Sequence, residues 1–218
     1  MCYHTGMNIV SYLENVYGYA TPIFLKDVRI GGKSKAAIKE SFYRAVKDGE
    51  LERRSNGVYF LREKKEFGRG ILFTDILERK FLYSDYVDSN LRELFVAGYY
   101  SGMTFLNQIG VSEQVPAILE VTTNNTSSNK RFYTSGKSIA IIRKARTNVT
   151  FQNYKMLQFL DMFYWLSLYE IKEKRELLRK YIVDNYLTKH QFSEYISLYS
   201  FQTLKKITEG GLLDAFVR

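Results

Sequence analysis

Apolar residues recur at helical spacing near the start of the chain: Ile9, Val10, Leu13, Val16 and Tyr17 form one stripe, and Gly18 is a natural stop. Pro22 turns Thr21 away from helical angles, so Thr21-Pro22-Ile23-Phe24 reads as extended. A short helix is predicted over Leu25 to Ile30, ending at Gly31-Gly32, and a longer one from Lys33 to Asp48, ending at Gly49. At about 100° per residue, Ile38, Phe42, Ala45 and Val46 share one face of that longer helix and should pack on the two helices before it. The opposite face carries Lys33, Ala36, Ala37, Glu40, Tyr43, Arg44 and Lys47, flanked by Lys35 and Lys39. Glu50 to Arg54 and Val58 to Leu61 read as the strands of a hairpin, and Asn56-Gly57 between them favours a primed turn.

Further along, Leu72 to Leu82 and Leu91 to Ile109 show apolar positions three and four apart and are predicted helices. Ala117 to Thr123, Lys130 to Thr134 and Lys137 to Lys144 read as strands, the last two turning at Ser135-Gly136, and Thr122 to Lys130 is a polar loop. From Phe151 the pattern is helical again. The aromatics Phe151, Tyr154, Phe159, Phe163, Tyr164 and Trp165 are expected to fill a core. Ile171 to Tyr186 is a charged amphipathic helix with an i, i+4 pair among Glu173, Lys174, Glu176 and Lys180, and Phe192 to Ile207 is a candidate surface for a second subunit. The fold class that follows is α+β: an N-terminal winged helix-turn-helix over 1–66, a mixed α/β domain over 67–150, and a helical C-terminal extension over 151–218 packed on it. The charged run Arg62-Glu63-Lys64-Lys65-Glu66, followed by Gly68 and Gly70, marks the linker.

Charge sharpens this picture. The chain carries a net charge of +9, which favours an acidic partner, nucleic acid first. Helix, short helix, basic helix and hairpin is the order of a winged helix-turn-helix, whose third helix lies in the major groove. Lys33, Lys35, Ala36, Lys39, Glu40, Tyr43, Arg44 and Lys47 are the candidate groove and phosphate residues, and Arg53, Arg54 and Asn56 arm the hairpin tip. Between Val121 and Leu160 there is no acidic residue, so Lys130, Arg131, Lys137, Arg143, Lys144 and Arg146 are read as a second basic surface.

Candidate chemistry is sparse. Cys2 is the single cysteine, and with only His4 and His190 beside it no zinc site of ordinary composition can form. Gly31-Gly32-Lys33-Ser34 resembles the end of a phosphate-binding loop, but Asp27 stands where that motif needs glycine. A metal-dependent nuclease would want a Lys two residues after Glu120, and Thr122 stands there. No catalytic residue, metal or cofactor is therefore expected. The start of the chain lacks the regions of a signal peptide and no apolar run approaches the roughly 18–20 residues that span a bilayer, so a cytoplasmic protein with no membrane partner is expected.

The segments Ser34-Lys35-Ala36-Ala37-Ile38, Val46-Lys47-Asp48-Gly49-Glu50-Leu51 and Gly57-Val58-Tyr59 resemble the winged-helix domain of AbiEi-type antitoxins, the regulatory half of type IV, abortive-infection toxin–antitoxin pairs. Tyr100 to Gly110, Gln114-Val115-Pro116 and Glu120-Val121-Thr122-Thr123-Asn124 are similar too, so the resemblance spans about residues 7–165. It implies a transcriptional repressor that binds inverted repeats of double-stranded operator DNA in its own promoter, as a homodimer or as cooperating monomers. It also implies that the chain counters a nucleotidyltransferase-class toxin without needing a stable complex. A winged-helix module that binds protein, and less so a metal-dependent nuclease, are the alternatives.

Overall fold

The computed structural model describes residues 8–63, 70–88 and 91–217, with only the backbone described at 85–88 and 91–94. The chain is α+β, and among the described residues its strands fall into three small sheets. It divides into two compact units, one of residues 1–79 with 85–93 and the other of 80–84 with 94–218. No helix of the described residues is long and apolar enough to cross a membrane.

In the first unit, α1 (Ile9–Tyr17) is capped by the Asn8 side chain and stops at Gly18, whose φ of +70° suits glycine. β1 (Ile23–Phe24) leads into a single 3₁₀ turn, Leu25–Asp27. The helix expected through Ile30 does not form. Val28 instead extends, which buries its side chain, while the Arg29 guanidinium donates to the Lys26 and Val28 carbonyls. Then come α2 (Lys35–Lys47) and the hairpin of β2 (Glu52–Ser55) and β3 (Val58–Phe60), which with β1 make a sheet of order β1-β3-β2. The turn at Asn56-Gly57 is not a primed one: Gly57 has φ +73° but Asn56 is not left-handed, and a bulge between Arg53 and Ser55 adjusts the strands instead. One core joins Ile9, Leu13, Ile23, Ile38, Phe42 and Leu51. α3 (Phe73–Leu77) runs on into a π-helical turn, Glu78–Leu82, as the periodicity predicted.

The helix predicted over Leu91 to Ile109 is overturned. The chain forms β4 (Tyr83–Asp88) paired with β5 (Leu91–Val96), then β6 (Gly98–Tyr100), and only then α4 (Gly102–Gln108). Two glycines explain the change. A side chain on Gly98 would lie 2.4 Å from the Phe81 carbonyl and 2.7 Å from that of Thr122, and Gly102 sits at φ +58° against the Glu120 carboxyl. Close strand approach and a left-handed entry both interrupt a helix there.

In the second unit, β6, β7 (Leu119–Thr123), β9 (Ser138–Lys144) and β8 (Lys130–Ser135) form a sheet in the order β6-β7-β9-β8. β7 and β9 run parallel and the other pairs antiparallel. Its main core gathers Phe105 and Leu106 of α4, Met156, Phe159 and Leu160 of α5 (Tyr154–Met162), and residues of the helices that follow. Of the crowded aromatics, Phe159 and Phe163 are core, whereas Phe151 and Tyr164 are exposed. The amphipathic helix expected over Ile171 to Tyr186 is two, α6 (Leu168–Glu173) and α7 (Arg175–Asp184), broken at Lys174. Lys180 pairs with Asp184 rather than Glu176, which meets Arg175. α8 (Lys189–Tyr195) and α9 (Phe201–Glu209) lay Phe192, Tyr195 and Ile207 on this chain's own core. Of the predicted linker, Lys64 to Glu66 and Gly68 lie outside the described residues, and Arg62 is ion-paired with Glu52.

Candidate nucleic-acid interface

α2 begins where Ser34 caps it, the hydroxyl accepting from the Ala37 backbone N–H at 3.2 Å. It ends at Gly49 (φ +75°), where Glu50 and Leu51 fold back to donate to the Ala45 carbonyl. These two ends fix where the helix starts and stops. Ile38, Phe42 and Ala45 are buried as predicted, Val46 packs beside them, and Phe42 meets the Tyr59 ring of β3 edge-on at 5.0 Å. On the opposite side Ala36, Ala37, Glu40, Tyr43, Arg44 and Lys47 are exposed, as are Lys35 and Lys39 at its flank and Lys33 ahead of the helix. Replacing Ser34 with Ala should cost about 1 kcal/mol of helix stability. It should show as faster hydrogen exchange in the first turn of α2, and unchanged exchange there would discount the cap.

Charge on this arc is uneven in its availability. Arg44 and Glu40 pair across one turn at 3.1 Å, both largely in solvent. Such exposed pairs are worth a few tenths of a kcal/mol, so Arg44 can exchange Glu40 for a phosphate at small cost. Among the described residues, Lys33, Lys35, Lys39 and Lys47 make no ion pair. At the hairpin, Arg53 donates to the Asn56 side chain at 3.1 Å and holds the turn, while Arg54 projects from the bulge. Tyr43 is 65% exposed at the centre of the arc, flanked by small Ala36. The arrangement offers a cationic ridge of one helix with an arginine-bearing hairpin in the same unit.

The second set of predicted basic residues does not form one surface. Register places Lys130 and Arg143 on one face of the sheet, while Arg131 lies on the other, over the Phe81 ring. Lys137 sits in the β8–β9 turn and Lys144 ends β9, both exposed. Arg143 reaches the nearly buried Glu120 carboxylate at 3.0 Å and lies over the Trp165 ring. Arg146 spans Asp161 at 3.5 Å, the Tyr199 ring and the Leu198 carbonyl. Two of the six cations are thereby tied to carboxylates of their own chain.

Asp161 is the centre of a polar cluster that the residue pattern did not single out. The Tyr99 hydroxyl donates to it at 2.7 Å, and Arg146 and Tyr199 close around it. Burial pushes the Asp161 carboxyl above its ordinary range, against the opposing pull of Tyr99 and Arg146. Burial, then the neighbouring carboxylate, raises the Tyr99 phenol, which therefore stays a donor. A carboxyl whose folded pKa is raised contributes stability that is full below the unfolded value and is lost as pH rises through the folded one. The urea midpoint of the parent should therefore lose a component as pH rises above about 4, the ordinary aspartate value, and Asp161→Asn should lack that loss. Parallel pH profiles for the two would contradict this.

Among the described residues, no three His, Cys, Asp or Glu side chains gather where a metal could sit. A cleft of about 450 Å³, with Phe95, Asn124, Asn148 and Phe151 in its lining, carries no ionisable side chain among the described residues. Comparison with family models, curated proteins and solved structures found no match.

Proposed function

We propose that α1, β1, the 3₁₀ turn, α2 and the β2–β3 hairpin form a winged helix-turn-helix that binds duplex DNA. In this reading α2 enters the major groove and the hairpin is the wing. The observation that carries it is the division of α2: Ile38, Phe42 and Ala45 are buried, Glu40, Tyr43, Arg44 and Lys47 are exposed on the other side, Lys35 and Lys39 are exposed at its flank, and exposed Lys33 lies just ahead of the helix. The 3₁₀ turn stands for the first helix of the motif and the Gly31-Gly32 stretch for its turn. Lys35, Lys39, Arg44 and Lys47 contact phosphates, Ala36 and Tyr43 approach base edges, and Arg53, Arg54 and Asn56 meet the flanking backbone.

The chain is then an autoregulatory repressor and the antitoxin of a type IV pair, countering a nucleotidyltransferase-class toxin. Support for the second half comes from the segments that resemble AbiEi-type antitoxins. Two of them pack together: the Ser101 N–H donates to the Glu120 carbonyl at 3.0 Å and the Thr122 hydroxyl to Ser101 at 2.9 Å. A gel shift with DNA from upstream of the protein's own gene, at two salt concentrations, tests the repressor. Retarded, salt-sensitive complexes that an unrelated duplex does not compete away are expected, and no retardation at low salt would refute DNA binding. Co-expression with the toxin of an adjacent gene tests the antitoxin, and growth arrest that this chain does not relieve would remove that role while leaving the repressor.

A further inference from the structure

The face of the four-stranded sheet that carries Glu120 is only half covered. On the β7 side, α4 closes it: Gly102 abuts the Glu120 carboxyl and Ser101 holds Thr122. On the β9–β8 side it lies open. Register pairs Arg143 with Lys130, Ile141 with Phe132 and Ile139 with Thr134, so these six share this face in three successive rows. Phe132 is 62% exposed and Ile139 40%, and Ile118, just ahead of β7, is exposed too. Trp165 borders the same face, 38% exposed, with the Arg143 guanidinium 5.6 Å from its ring.

We propose that this face docks a protein partner whose apolar side chains are flanked by carboxylates. The centre, Phe132, Ile139 and Ile141, is aliphatic and aromatic, and its border is cationic, with exposed Lys130 at one end and Lys137 at the turn. An exposed apolar patch rimmed by polar groups is the usual form of a protein contact, and Trp, Phe and Arg are the side chains on which such contacts concentrate their energy. Charge selects the partner's sign. From Val121 to Leu160 the sequence has no carboxylate, and the Glu120 carboxylate is already taken by Arg143. A second copy on this face would bring its own cationic rim against the first. An unpaired nucleic-acid strand wants a run of flat rings for successive bases, whereas the centre of this face sets two aliphatic side chains, Ile139 and Ile141, beside the single ring of Phe132. The assignment does not depend on α2 binding DNA.

Trp165 is the single tryptophan, so its emission reports on this face alone. A random dodecapeptide library is selected on the full chain and counter-selected on the Phe132→Ser variant, and enriched peptides are titrated against Trp165 fluorescence. Enriched peptides should alternate Asp or Glu with large apolar residues and shift Trp165 emission saturably. Affinity should fall about tenfold or more in Phe132→Ser. It should fall likewise in Lys130→Glu, which changes an exposed side chain and so cannot be dismissed as unfolding. Duplex binding should be the same in both variants as in the parent. No enrichment over Phe132→Ser, enrichment of peptides without acids, or binding unaffected by Lys130→Glu would overturn the proposal. An oligothymidine dodecamer that shifts Trp165 more tightly than the peptides would reassign the face to nucleic acid.

Discussion

Replacing Phe42 with Ala should lower the stability of the N-terminal unit by about 3–5 kcal/mol, the loss usual for emptying a fully buried phenylalanine site. Phe42 has no solvent exposure and joins α2 to β3 through the Tyr59 ring. Its loss removes the contact that sets the rotation of α2, so duplex binding should disappear along with stability. The whole chain need not unfold in one step, because the two units have separate cores. Hydrogen exchange resolved along the chain is therefore the right measurement: protection should collapse in α1, α2 and β3 and persist in α5. Protection in α2 equal to the parent's would mean that Phe42 does not anchor the helix.

The second large effect is electrostatic. Changing Lys39, Arg44 and Lys47 together to Ala removes side chains that lie in solvent and make at most one exposed pair, so folding should be untouched. If each meets one phosphate, the slope of log affinity against log salt should flatten by about 0.9 per residue removed. Affinity at low salt should fall by on the order of a hundredfold or more, roughly uniformly across sequences. Anisotropy titrations at four salt concentrations give both numbers. An unchanged slope would place the DNA elsewhere on the protein, whatever the change in affinity.

The features read correctly from the sequence were those fixed by neighbours a few residues away. The stripe Ile38, Phe42, Ala45 needs only the helical period, and Gly49 ends the helix through local hydrogen bonds, although the start lies at Ser34 and Lys35 rather than at Lys33. Gly136 makes the β8–β9 turn with its own left-handed backbone. The failures arose where a distant element decides. Leu91 to Ile109 has helical spacing, but Gly98 is pressed between the Phe81 and Thr122 carbonyls, and no local window contains either. The second basic surface failed for the same reason. Arg143 is answered by Glu120 and Arg146 by Asp161, one just before the acid-free stretch and one just after it. Composition inside that stretch could not show that its ends fold back onto it. Trp165 is expected in a core and lies partly exposed instead, and Phe132 carried no signal of its own, because an aromatic side chain looks alike in a sequence whether it fills a core or faces water.

The cluster around Asp161 ties β6, α5, the Arg146 loop and the segment before α9 to a single carboxylate. Pulling any one of them away breaks contacts within this network, so none can peel off cheaply by itself. Proteases should accordingly find the stretch around Tyr199 closed until the surrounding helices give way together. The tail-like third of the chain is in that sense a keystone: trimming it should release the sheet beneath it rather than shorten an appendage.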